Sequence, residues 1–365
     1  MTRKQPLKAI LSATREQWNS PGVRPDVRQN FEKVLQCRTK ALGGEVYASE
    51  VEEKVVWHTC KSRACPSCGH LATLNWLDGI VNSLPDVPFV MVTLTMPDVL
   101  WPLFQRNRHL LRDLPALGAA VLKSIWRVRH HVRPMIIAIP HTFGGTLNFN
   151  CHLHVLVSAG GLDVTAARWI DIVPLDREEL MRSWRDAVIT YLQKAWEAGL
   201  IFQHSNPSRI PSLLRVQSFR RWIVHITGLG SKKQLIRYAG RYLHRLPIAQ
   251  NRIVSISDEE VVFRAKDRKR KQTLIVTMPT REFVKRLADQ VPDFYRHTVR
   301  YFGLLAPSAR SKTRPGISIL LGQTLRTPNR KALWRARIRA DFGRDPLKDR
   351  HNNLMRWKRR IAPMR

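Results

Sequence analysis

The chain has 365 residues, 44% of them hydrophobic, which is enough for two or three domains with buried cores. Sixty-two Lys and Arg against 28 Asp and Glu leave a formal charge of +34, which repels itself unless a polyanion neutralises it. No apolar run approaches the ~20 residues of a membrane span, and the basic start Met1–Lys8 is followed by no apolar stretch, so neither an anchor nor an export signal is expected and the cytoplasm is the default. Of the two polyanions that fit, an anionic membrane surface and nucleic acid, the lack of an amphipathic anchor and the eleven tryptophans favour nucleic acid. Aromatic rings among cations suit single strands, by stacking on bases and attracting phosphates.

Residues 1–84 read as a basic, cysteine-bearing module with helical stretches around Val27–Leu35 and Ala72–Leu84, bounded by Pro85 and Pro88. Phe89–Met96 looks like a buried strand stopped by Pro97. Residues 101–131 read as helical, with Pro115 and Gly118 breaking the run. Met135–Phe143 is a second strand and Gly144-Gly145 a turn. A third strand follows and ends at Gly160-Gly161, so strands two and three read as a hairpin. Residues 177–198 predict an amphipathic helix, with Leu180, Trp184, Val188, Leu192 and Trp196 close to helical spacing. A helix over 232–246, stopped by Pro247, precedes an alternating stretch, 252–278, that reads as a hairpin with Lys266–Lys271 at its turn. Residues 280–290 predict a further helix. From Pro307 the chain turns polar and basic. Its last 35 residues hold twelve Lys or Arg and three Asp or Glu, and partial disorder is expected there without nucleic acid. The expected organisation is a module over 1–84, a sheet-bearing domain over 85–250, a hairpin and helix packed on it over 251–306, and a basic, partly flexible tail over 307–365.

The most informative stretch is Asn150-Cys-His-Leu-His-Val-Leu-Val157. Period 2 puts His152 and His154 on one strand face and Leu153, Val155 and Val157 on the other. The imidazoles then stand roughly 7 Å apart along the strand and can converge on one divalent cation. The plainer reading is two histidines on a solvated sheet face. Cys60-Lys-Ser-Arg-Ala-Cys65-Pro-Ser-Cys68 resembles half of a zinc ribbon, with Cys37 upstream as the first choice for a fourth ligand and His58 or His70 as alternatives. With no export signal, clustered cysteines read as metal ligands rather than disulfides. Tyr238 and Tyr242 are four apart and share a helix face, with Arg237, Arg241 and Arg245 as a stripe beside them. A phenol attacks a phosphodiester only where charge on the phosphate is neutralised and loss of the phenol proton is eased. Two half-buried tyrosines on an amphipathic helix are the alternative. Lys266–Lys271, including Lys269 and Arg270, is either a phosphate contact or a solvated hairpin tip. Asp176–Glu179 reads as the acidic first turn of a helix, and no Gly-rich nucleotide loop is present.

Taken together, these motifs resemble the HUH endonucleases, and more closely the two-tyrosine transposases of rolling-circle insertion sequences. The resemblance runs through Cys37-Arg-Thr with Gly43-Gly44, Cys60 to Cys68, His141-Thr-Phe-Gly, Leu147 to His154, Tyr238 to Arg245, and Val299 to Leu305. Val-Thr-Leu-Thr-Met-Pro, residues 92–97, resembles a first-strand motif of the wider replication-initiator superfamily. Two departures stand out. Tyr47–Glu53 occupies the place of a further Cys-x₂-Cys, and Asn150-Cys151 stands where His-Pro is usual, which makes Cys151 a packing residue. The resemblance implies an α+β fold with an HUH-type antiparallel sheet, a ferredoxin- or RRM-like palm, flanked by helices. It implies a nick made by one tyrosine, giving a 5′-phosphotyrosine link and a free 3′-OH, with the second tyrosine holding another strand. It implies Mg²⁺ or Mn²⁺ on His152, His154 and a further ligand, for which His141 is the candidate, and structural Zn²⁺ on the cysteines. Single-stranded DNA, hairpin ends of the element and target DNA are the implied partners, in a bacterial cytoplasm at the nucleoid. A relaxase or replication initiator, and a non-enzymatic zinc-containing nucleic-acid-binding protein, are the competing readings.

Overall fold

The computed structural model describes residues 5–202, 206–240, 248–267, 272–324 and 334–364, apart from the side chains at 129, 238, 310, 312, 341 and 342. Helices Pro6–Ala13 (α1), Arg15–Trp18 (α2) and Pro25–Gln36 (α3) lead into a hairpin, Gly44–Ala48 (β1) and Glu53–Trp57 (β2), and a helix, Pro66–Ser83 (α4). Then come strand Phe89–Thr95 (β3), helices Trp101–Arg106 (α5) and Leu114–His130 (α6), and strands Val132–Arg133 (β4), Met135–Phe143 (β5), Phe149–Ser158 (β6), Gly161–Asp163 (β7) and Arg168–Ile170 (β8). Helices Arg177–Glu197 (α7) and Ile210–Phe219 (α8), strand Val224–Ile226 (β9) and helix Lys232–Gly240 (α9) follow. The chain continues with Ile253–Ile256 (β10), Glu260–Asp267 (β11), Gln272–Pro279 (β12), Thr280–Asp289 (α10), Arg300–Gly303 (β13), Pro307–Leu320 (α11), Trp334–Phe342 (α12) and Arg356–Ile361 (β14). The fold is α+β, with antiparallel sheets flanked by helices. No helix among the described residues is long and apolar enough to cross a membrane.

The chain divides into two compact units. The first gathers Met1–Gly79, His244–Val291 and Pro328–Arg365. It holds two three-stranded sheets, ordered β14-β1-β2 and β10-β11-β12. α10 buries Phe283, Val284 and Leu287, and Phe283 meets Phe263 edge to face at 5.8 Å. α10 packs on α1 and α2. Arg24 donates to the carbonyls of Ala288 and Val291, at 2.9 and 3.1 Å, supplying donors where α10 ends. The expected hairpin-and-helix piece, 251–306, is therefore divided. Residues to Val291 belong with the N-terminal segment and those from Pro292 with the other unit. The described residues of the tail include α11, α12 and β14, and β14 pairs with β1. Amphipathicity shows that a segment has an apolar face, not which distant segment covers it.

The second unit, Ile80–Leu243 with Pro292–Thr327, is built on a five-stranded antiparallel sheet ordered β13-β5-β6-β3-β9. β6 is its middle strand. Cys151, Leu153, Val155 and Val157 point to one face and join Val92, Leu94, Ile136 and Ala138 in the main core, filled from α5, α6, α7 and α8. α7 starts where the Asp176 carboxylate accepts from the Glu179 N–H at 2.7 Å, as its acidic first turn predicted. Its stripe Leu180, Trp184, Val188 and Leu192 is buried in that core, and the Trp184 indole donates to the Thr95 carbonyl at 2.8 Å.

The break expected at Pro115 and Gly118 lies earlier, between Arg106 and Leu114, where a short 3₁₀ turn spans Arg108–Arg112. Pro115 stands in the first turn of α6, where its missing N–H costs nothing. Gly118 is mid-helix because α6 approaches β6 closely there. A Cβ at Gly118 would meet Leu153 Cδ2 at 2.3 Å and Leu94 Cδ1 at 3.2 Å. Gly118→Ala is expected to destabilise the second unit by about 1–3 kcal/mol, despite alanine's better helix propensity. A lowered urea midpoint for that unit is the expected measurement, and an unchanged or raised midpoint would contradict the close approach.

Candidate metal centres and the strand face they occupy

The alternation of β6 leaves His152 and His154 on the face opposite the main core. Register supplies the third imidazole: His141 on β5 pairs directly with His152, so the two share a face. Ligand atoms of His141, His152 and His154 all lie within 4.8 Å of one another. His141 and His154 are buried and His152 is half-buried. The His152 and His154 Nε2 atoms face each other at 3.1 Å. His152 Nδ1 donates to the Asn150 carbonyl at 2.9 Å, which leaves Nε2 as that ring's ligand nitrogen. His154 Nδ1 lies 3.0 Å from Thr93 Oγ1, and with Nδ1 protonated it donates to that hydroxyl and also frees Nε2 for ligation. Adjacent ligands about 2.1 Å from an octahedral ion stand about 3.0 Å apart, so this pair fits two neighbouring positions of one divalent cation.

α9 packs against β3 and β6. Its buried residues, Leu235, Ile236 and Ala239, stand outside the core that fills the other face of the sheet, so α9 covers the face that carries the histidines. Tyr238 lies in α9 and Arg237 is exposed on it. The Tyr238 side chain, and all of Arg241, Tyr242, Arg245, Lys269 and Arg270, lie outside the described residues. Tyr191 is a poor nucleophile. Burial first, then the neighbouring Asp113 carboxylate, push its phenol well above the ordinary tyrosine range. Cys151 is fully buried on the core face, where burial pushes its thiol up to about 12, in keeping with a packing role.

In the first unit the four thiols converge. Sγ of Cys37 lies 3.7 Å from Cys68 and 3.6 Å from Cys65, and Cys60 Sγ lies 3.7 Å from Cys68. A tetrahedron with zinc–sulfur bonds of about 2.3 Å has edges of about 3.8 Å. The four residues therefore fit one Zn²⁺ without a further Cys-x₂-Cys, and Tyr47–Glu53 instead forms the turn side of the β1–β2 hairpin. Hydrogen bonds from Cys60, then Cys65 and Cys68, pull the Cys37 thiol below the ordinary thiol range, while the same bonds push Cys60 and Cys65 up, so the cluster shares protons that Zn²⁺ would displace on binding. The Cys60 N–H reaches Cys37 Sγ at 3.5 Å, and Lys8 on α1 donates to the Cys37 carbonyl. The alternatives for the fourth ligand lie elsewhere. His58 meets the Leu42 carbonyl and the Glu45 carboxylate, both at 3.1 Å, and His70 is exposed.

Thr93 is a site residue that sequence reading did not single out. Val-Thr-Leu-Thr places Thr93 and Thr95 on one face, but only the register, with Thr93 opposite His154 and Thr95 opposite His152, brings them to the imidazoles. The β3–β9 register extends the Thr93 row to His225.

Residues 136–313 match the family model described as "Putative transposase", and residues 9–96 match the "Transposase zinc-binding domain". The "Transposase for insertion sequence element IS801" of Pseudomonas savastanoi pv. phaseolicola is 29% identical over 363 residues, covering 94% of this chain and 87% of that protein. "Putative transposase y4qJ" of Sinorhizobium fredii (strain NBRC 101917 / NGR234) is 30% identical over 313 residues, covering 80% of this chain and 78% of that protein. No solved structure matches the chain. The first model contains the three clustered histidines and Tyr238 with Tyr242, and the second contains all four cysteines. The chain belongs to the two-tyrosine transposases of rolling-circle insertion sequences, DNA-cleaving enzymes with an N-terminal zinc-binding domain.

Proposed function

We propose that this transposase nicks one DNA strand with a tyrosine of the Tyr238/Tyr242 pair. The phenolic oxygen bonds to phosphorus and the P–O3′ bond breaks. The 3′ oxygen takes a proton, the phenol loses one, and a 5′-phosphotyrosine remains. The second tyrosine takes the next strand in the same way, so cutting and joining need no external energy source. His141, His152 and His154 would hold Mg²⁺ or Mn²⁺, which when bound polarises the scissile phosphate. Arg237, Arg241 and Arg245 offset the charge gathering on the phosphate. Asn150 and Thr93 keep two imidazoles turned with Nε2 toward the centre. The observation that carries this reading is the three-histidine cluster on the sheet face covered by the helix that contains Tyr238.

The substrate is single-stranded DNA folded into hairpins at the ends of the element, then a target strand, acted on at the bacterial nucleoid. The zinc-bearing first 84 residues grip those ends, and Lys269 and Arg270 add phosphate contacts. A relaxase or replication initiator would share the nick but not the joining to a target strand, and the match to transposases favours strand transfer.

The test is a denaturing gel of the protein with single-stranded terminal DNA and Mg²⁺. A covalent adduct is expected. Tyr238→Phe, Tyr242→Phe or both should lose it below detection, since phenylalanine has no nucleophilic oxygen. If both single variants form it at the wild-type level, the assignment fails.

A further inference from the structure

β14 reads Arg-Trp-Lys-Arg-Arg-Ile and forms the edge of the sheet ordered β14-β1-β2. Arg356 to Arg360 are all exposed. Simple alternation would put Trp357 and Arg360 on opposite faces. The register prevents that. Trp357 stands opposite Tyr47 and Arg359 opposite Val46, so Lys358 is the extra residue of a bulge. Trp357 and Arg360 therefore share a face, and both reach Glu45. The Trp357 indole donates to Oε2 at 2.8 Å and Arg360 Nε lies 3.7 Å from Oε1. Across the sheet the row runs Trp357, Tyr47, Lys54. Direct cross-strand neighbours hold their Cβ atoms about 5 Å apart, so an indole and a phenol rise from neighbouring positions on one face.

Trp357 is 60% exposed. A ligand that covers this ring removes apolar area from water, which favours its binding. Glu45 already orients the ring, which lowers the entropy lost when a ligand stacks on it. The charge around it is in surplus. Lys358 and Arg359 share Glu53 at 2.9 and 3.2 Å, Arg360 shares Glu45 with Trp357, and Arg356 meets no carboxylate among the described residues. Exposed pairs of this kind are weak and exchange readily for phosphate. Basic residues on an edge strand also deter strand-to-strand aggregation. That role requires neither an exposed tryptophan nor a bulge that brings it level with a tyrosine.

We propose that this sheet is a second DNA site, a stacking platform on which bases of single-stranded DNA cover Trp357 and Tyr47 while the cations of β14 hold the flanking phosphates. Only unpaired bases offer a free face to a ring, whereas a duplex offers phosphates alone. The proposal rests on the single-stranded substrate of the proposed function, and it places the grip of the zinc-bearing unit on a strand supplied by the far C-terminal end of the chain.

The experiment is fluorescence anisotropy of a labelled oligo(dT) 20-mer and of a duplex of similar length. It uses full-length zinc-loaded protein without added Mg²⁺ or Mn²⁺, so that no cleavage enters. Trp357→Ala is expected to weaken oligo(dT) binding roughly tenfold and duplex binding less than twofold, and Trp357→Phe to restore most of the loss. Arg356→Ala reads the same surface without touching an aromatic ring, and is expected to reduce the slope of log affinity against log salt by about 0.7 for a single strand. Wild-type oligo(dT) affinity in Trp357→Ala overturns the platform, as does equal loss for single strand and duplex. Because cleavage is read separately as the covalent adduct, a failed platform beside a normal adduct leaves the proposed chemistry standing.

Discussion

His152→Ala is expected to lower metal-dependent strand cleavage by about 10²–10³-fold, while the affinity for single-stranded DNA changes by less than about threefold. The size follows from the loss of one of the three ligands to the cation that would polarise the reacting phosphate. Binding survives because affinity rests on many phosphate contacts distributed over a chain of +34. His152 is half-buried, so alanine leaves no large cavity. A second variant separates ligation from orientation. Thr93→Val keeps all three imidazoles but removes the hydroxyl 3.0 Å from His154 Nδ1. It is expected to raise the Mg²⁺ or Mn²⁺ concentration for half-maximal cleavage by about 10–100-fold, with the rate largely recovered at saturating metal. Wild-type cleavage by His152→Ala would remove the histidine cluster from the mechanism. A fall in binding parallel to cleavage would make it a DNA contact instead.

Removing zinc is expected to unfold the first unit while the five-stranded sheet of the second stays folded. A structural zinc contributes about 10–16 kcal/mol of apparent binding free energy, comparable with or larger than the 5–15 kcal/mol by which a whole domain is usually stable. The purified protein should carry one zinc on Cys37, Cys60, Cys65 and Cys68. Cys68→Ser should lose it. Excess chelator should expose amides of α3 and of β1 to hydrogen exchange, with those of β5 and β6 still protected. Full protection of α3 and β1 after complete zinc removal would show that the thiols pack without a metal. The chelated protein should also lose its grip on DNA ends, since β14 pairs with β1 and depends on that strand for its place.

The elements most readable in advance are those whose information is local. β6 was legible because its apolar and polar residues alternate from Phe149 to Val155. α7 was legible because a capping aspartate precedes a stripe repeating at helical spacing. The Cys60–Cys68 knuckle was legible because its ligands are close in sequence. Gly118 misled because glycine is usually a helix breaker, and the crowding that demands it comes from Leu153 on another element. The pairing of β14 was not legible because it gains its hydrogen bonds from β1, some three hundred residues earlier in the chain.

What the linear order of residues determined is a polyanion-seeking charge and chemistry of short range: a histidine pair on one strand face and a three-cysteine knuckle, each motif carried by residues close together in the chain. What only the tertiary structure decided is which distant partners complete them. Cys37 rather than His58 or His70 closes the thiol set, His141 joins His152 through strand register, Thr93 turns to His154, and a C-terminal strand finishes an N-terminal sheet. The reason is physical. Local periodicity states what each segment must bury or pair, but the choice among all chemically acceptable partners is made by packing and register, which exist only once the chain has folded.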